Sequence, residues 1–235
     1  METSVTSSGT HAAAPPRARH VPLALALFTA PWGFVVANGA YAWATRAGGD
    51  DSTGANTLAL VAAHPGLYRL STVAAMLGSL LMVPAALGAR RLIDDRSRRL
   101  GALGATLMAG GYICYFAVAF AGITDIAMAE RGGPVADYAA VIDGAQSDPT
   151  GIWVFLLFAL GNLVGTLLLG LALLRARVVP LWAAAGVIAW PPLHVIGLVA
   201  GTEWFEVAGA ITQAVGLAVT GTRLLAAPSV PAGED

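Results

Sequence analysis

Six stretches of the chain run almost without charge for about the twenty residues that a helix needs to cross a hydrocarbon layer roughly 30 Å thick. They cover residues 21–43, 67–89, 100–123, 152–174, 180–201 and 207–226. Each predicts a transmembrane helix. Backbone polar groups in lipid need partners within their own segment, and the strict alternation of a barrel strand is missing. The last stretch is the most polar, since Glu206 and Arg223 bracket it, and Arg223 would have to extend toward the headgroups. The expected fold is all-α, a polytopic six-helix transmembrane bundle over 21–226. The tails at 1–20 and 227–235 are rich in Pro, Ala, Ser and Gly and are expected to be disordered.

Arginines sort the connections between these stretches. With the N-terminus inside, Arg17, Arg19, Arg90, Arg91, Arg96, Arg98, Arg99, Arg175, Arg177 and Arg223 fall on one side and only Arg46, Arg69 and Arg131 on the other. Membrane proteins keep their short basic loops in the cytoplasm, so both termini are expected there, in a multi-pass protein of the bacterial cell membrane. The acidic residues lean the other way, with Asp50, Asp51, Asp125, Glu130, Asp137, Asp143, Asp148, Glu203 and Glu206 all on the outer side. Ala40-Tyr41-Ala42 has the form of a signal-peptide cleavage site, but the apolar run from Val21 exceeds the usual length of about 7–15 residues, so it is expected to remain as the first helix.

Two outer connections, 44–66 and 124–151, are longer than a turn requires. Within the second, Val135, Tyr138, Ala139 and Ile142 follow i, i+3, i+4, i+7 spacing, which predicts an amphipathic helix on the membrane surface or capping the bundle. The inner segment ARRLIDDRSRR reads as a solvated anchor. The halves of the chain show no corresponding residues that would make an inverted repeat.

Composition narrows the class further. The chain is 57% hydrophobic and 11% charged, with a mean hydropathy of +0.70; water-soluble domains hold about 25% charged residues, so that class is excluded. A net charge of -1 argues against nucleic acid as a partner. All basic residues are arginine, and the single cysteine, Cys114, leaves no internal disulfide and no Cys-x-x-Cys metal site.

Catalytic signatures are missing: there is no GxSxG, P-loop, HExxH or Gly-rich dinucleotide loop. No metal and no cofactor is expected, and the chain leans away from being an enzyme. GALGATLMAGG and GNLVGTLLLG place small residues where helices pack closely. Mid-depth polar residues are neutral: Thr106, Asn162, Thr166, Thr212 and Gln213 are expected to hydrogen-bond between helices. Toward the outer leaflet every helix contributes aromatic or charged groups, among them Asn38, Tyr41, Tyr68 and Glu206, as an interfacial belt would. In AWPPLHVIG, Pro191 and Pro192 remove two backbone donors, which predicts a kink or opening near Val187 and Ile188 with His194 at its wall. The candidate ligand-binding set is an outer-leaflet pocket of Arg69, Tyr112, Tyr115, Asp125, Trp190, His194 and Glu203.

The segment HPGLYRLSTVAAMLGSLLMVPAALGARRLIDDRSRRLG enters a helix through HPxLYRL and leaves by an arginine-rich loop. In this it resembles small uncharacterised six-helix integral membrane proteins of actinobacteria, a resemblance that implies location but no activity. Three function classes follow. The first is an accessory bundle that binds a lipid, a hydrophobic small molecule or a partner membrane protein. The second is a small transporter or permease subunit for an apolar solute. The third is a membrane enzyme acting on a lipid or isoprenoid.

Overall fold

A computed structural model describes residues 20–227, and these are helical with short connections. The helices in chain order are α1 (Val21–Thr45), α2 (Gly54–Ala63), α3 (Pro65–Arg90), α4 (Arg98–Arg131), α5 (Val135–Ser147), α6 (Pro149–Ala159), α7 (Thr166–Ala176), α8 (Leu181–Ala200) and α9 (Trp204–Ala226). A π-helix, Leu160–Gly165, joins α6 to α7 without a break. The expected disordered tails lie outside the described residues, apart from His20 and Ala227.

Among the described residues five helical runs are long and apolar enough to cross a membrane: Val21–Thr45, Pro65–Arg90, Asp95–Arg131, Pro149–Ala176 and Leu181–Ala200. They match the first five predicted stretches. The sixth, α9, is not among them, because Glu206, Thr212, Gln213, Thr220, Thr222 and Arg223 dilute its apolar residues.

Neighbouring elements close a ring. α1 packs on α3, α3 on α4, α4 on α6 and α7, α7 on α8, α8 on α9, and α9 back on α1. Leu27, Met82, Met108, Leu169, Leu217 and Leu224 fill its axis and are fully buried. The outer circumference is apolar, with Leu25, Leu77, Leu103, Ile113, Phe120 and Leu198 exposed and Val199 85% exposed. Large side chains of this kind in such number match a hydrocarbon surround rather than water.

The small-residue runs perform the predicted packing. A methyl group added at Gly111 of α4 would stand 2.6 Å from the Cα of Gly161, and one at Gly104 would stand 2.5 Å from the Leu169 nitrogen. No side chain fits there, so the backbones of α4 and the Pro149–Ala176 run touch.

The double proline does not open its helix. α8 runs unbroken from Leu181 to Ala200 through Pro191 and Pro192. Glycines on the flanking helices hold it: Gly170 of α7 backs onto Ile188, while Gly209 and Gly216 of α9 back onto Trp190 and Val187. Two consecutive carbonyls lose their donors, yet the helix is clamped over the same turn. The irregular turn lies instead at Leu160–Gly165, around Asn162.

The amphipathic helix appears as α5, with Ala139 and Ile142 of its predicted face buried and Tyr138 half-buried, while Val135 in the first turn is exposed. They pack against Leu58 of α2, a helix that the sequence reading left within a long connection. Thr53 caps α2 by accepting from the Asn56 backbone nitrogen at 3.2 Å. The Gly54 nitrogen donates to Asp143 of α5 at 2.6 Å. This helix pair sits over α4 at the end of the bundle where the acidic residues gather.

Candidate functional site, an acidic cavity at one end of the ring

A cavity of about 920 Å³ opens at that acidic end. Helical phase decides what reaches it. On α3, Tyr68, Thr72 and Ala75 share a face and line it, and on α4 Tyr115, Val118, Gly122 and Asp125 do the same. Asn38 and Tyr41 of α1, Ile152 and Phe155 of α6, and Val141, Ile142 and Ala145 of α5 complete the apolar and aromatic wall. Four carboxylates line it, those of Asp51, Asp125, Glu203 and Glu206.

The hydrogen bonds within the wall are few. The Tyr68 hydroxyl donates to Asp125 Oδ2 at 3.3 Å. Tyr115 stacks on Phe158 with ring centroids 4.2 Å apart and stands 5.8 Å from Phe34. Glu206 is buried, and His194 Nδ1 lies 3.0 Å from its Oε1. That approach is out of line for a hydrogen bond, so the ring nitrogen remains without an acceptor. The Glu203 carboxyl is pushed up to about 7, chiefly by burial and then by the Glu206 charge, with Asp51 adding to the effect and His194 opposing it. Among the described residues no three acidic, histidine or cysteine side chains stand close enough to hold a metal ion.

Of the seven residues in the predicted pocket, three line this cavity: Tyr115, Asp125 and Glu203. His194 reaches it through Glu206. Arg69 is turned outward and pairs with Glu130 at 2.7 Å, both half exposed. It is one residue from Tyr68, and 100° of helical rotation carries it off the lining face.

Tyr112 and Trp190 form a separate, deeper cluster. The Tyr112 hydroxyl and Trp190 Nε1 both donate to Asn162 Oδ1, each at 2.9 Å. One amide oxygen with two lone pairs satisfies two obligate donors, tying α4 and α8 to the π-helix that presents Asn162. Asn162 therefore makes the interhelical bonds expected of it. Thr106 is exposed, Thr212 donates to its own helix at Gly209, and Thr166 and Gln213 are buried without a hydrogen-bond partner among the described residues. Short polar side chains on helices readily bond the carbonyl one turn back, which is what Thr212 does in place of an interhelical bond.

Reasoning from the sequence placed Asn38, Tyr41, Tyr68 and Glu206 in the outer layer but outside the pocket, and passed over Asp51. The signal was present in the wheel positions: Tyr68 with Thr72, Gly122 with Asp125, and Glu203 with Glu206 each recur at helical spacing. The comparisons add no outside guide. No family model, curated protein or solved structure matches this chain.

Proposed function

We propose that the chain is a six-span bundle of a bacterial cell membrane, with both termini in the cytoplasm, that binds a hydrophobic small molecule in a cavity facing the outside. The cavity of about 920 Å³ carries this reading, since it falls in the 300–1,000 Å³ range of small-molecule pockets and its wall is mostly apolar with a few convergent polar groups. Two observations support the topology. α9 fills the place in the ring between α1 and α8, so Glu206, Gln213 and Thr220 are buried against protein rather than exposed to lipid. Arg90, Arg91, Arg96, Arg98, Arg99, Arg175, Arg177 and Arg223 all sit at the end away from the cavity.

Binding of the neutral dye N-phenyl-1-naphthylamine to the chain in phosphatidylcholine nanodiscs tests the cavity, with empty nanodiscs as the reference. Saturable fluorescence gain is expected, and Val118→Trp, which fills the cavity, abolishes it. Equal fluorescence in the filled variant overturns the reading. Alkaline phosphatase fused to the C-terminus is expected to be inactive, and an active fusion overturns the six-span topology.

A further inference from the structure

Resting on the cavity reading above, we infer that the ligand is an organic cation, a protonated or quaternary amine or its equivalent carried on an apolar body. The wall holds Asp51, Asp125, Glu203 and Glu206, and among the described residues no arginine lines it. Of the three arginines at this end none reaches the wall, and two are engaged elsewhere. Arg69 pairs with Glu130, and Arg46 lies over the Trp43 ring, 4.6 Å from its centroid.

Glu206 supplies the second, independent observation. Its side chain is only 10% exposed, and its close polar neighbours are His194, whose Nδ1 lies 3.0 Å from Oε1 but out of line for a hydrogen bond, and the like-charged Glu203 carboxyl. Two adjacent carboxylates served by one misaligned imidazole are short of positive charge, so this pair is built to meet a positive group entering the cavity it lines. Asp125 is little better provided, with one bond from a phenol at 3.3 Å. Tyr41 and Tyr68 add aromatic rings to the wall, and such rings attract organic cations through their quadrupoles. A bare metal ion fits poorly, because among the described residues no three ligands converge and the space is far larger than one ion.

Two ions of matched shape and opposite charge, tetraphenylphosphonium and tetraphenylborate, separate this inference from the cavity reading. Both are titrated against the full chain in phosphatidylcholine nanodiscs, alongside the neutral dye. The phosphonium is expected to bind at least tenfold tighter than the borate. Its affinity should fall at least tenfold in the Asp125→Asn/Glu206→Gln double variant, whose single symmetric elution peak and unchanged helical circular dichroism report an intact fold. If dye or borate binds in a Val118→Trp-sensitive manner without preference for the phosphonium, the charge inference falls and the cavity reading stands. A phosphonium preference indifferent to the double variant removes these carboxylates from the site. Failure of all three probes overturns both.

Discussion

The two ends of the ring are made by the same helices and differ in nearly every other respect. At the arginine end Leu27, Ala85, Ala89, Leu173 and Leu224 are at most 1% exposed, and alanine and glycine let the helices meet. At the opposite end the same helices carry Tyr41, Tyr68, Tyr115, Asp125 and Glu206, and they stand apart around an open volume. Side-chain size sets helix separation, so small residues close one end and large polar ones hold the other open. A tight half thus anchors a hollow half. Binding sites benefit from such an arrangement because the rigid part fixes the geometry of the part that must admit a guest.

Changes in the closed half should cost the most. Gly111→Leu drives a side chain into the Gly161 backbone, so a loss of about 3 kcal/mol or more is expected. A fluorescent fusion would then elute as aggregate instead of a single peak; an unchanged profile would show that the glycine seam is dispensable. Next in size is Asn162→Leu, which strands the Tyr112 hydroxyl and the Trp190 indole N–H in the core. A penalty of about 2–4 kcal/mol follows from two unsatisfied donors, read as a lower melting temperature in detergent with dye binding retained by what remains folded.

Effects in the open half are smaller and depend on pH. The Glu203 carboxyl titrates near 7 in the folded protein, above its ordinary value of 4.5, so folding favours its protonated form. That stabilisation is complete below the ordinary value and is lost as pH rises through about 7. Glu203→Gln is therefore expected to match the parent at pH 5 and to melt about 2–4 °C higher at pH 8, a modest gain because the group is partly solvated. The same titration adds negative charge beside Glu206, Asp51 and His194. Phosphonium affinity should accordingly rise from pH 6 to pH 8 in the parent and more weakly in the variant; equal slopes would remove Glu203 from the cavity's electrostatics. Smallest of all is Arg69→Ala, which breaks an exposed pair worth at most about 1 kcal/mol. Dye affinity should be unaltered, and a clear change would return Arg69 to the pocket.

The helices and their packing seams were legible in the sequence because length and apolar composition depend on the solvent and not on tertiary detail. α5 was legible because a half-buried helix leaves its period in the chain. α2 was not: LALVAA is apolar on all sides and too short to span, so it carries neither signal. Depth in the bundle was also readable, which is why Tyr115, Asp125 and Glu203 were found. Direction around each helix was not, and Arg69, Tyr112 and Trp190 sit at suitable depth facing elsewhere. The proline pair misled for a related reason: a missing donor weakens a helix, but the glycine contacts on either side of α8 decide whether it gives way.

The π turn at Leu160–Gly165 fits one residue more into its coil than an α-helix would. Everything before it is therefore rotated by about 100° from the phase set by α7. Excising a single residue there would leave α7 seated and swing α6 by more than a quarter turn, taking Phe158 off the Tyr115 ring and Phe155 away from the lumen. The span works like a vernier, in which the lower scale is fixed against α4 and one added division aligns the upper scale with the chamber. The number of residues in this stretch therefore has to stay as it is.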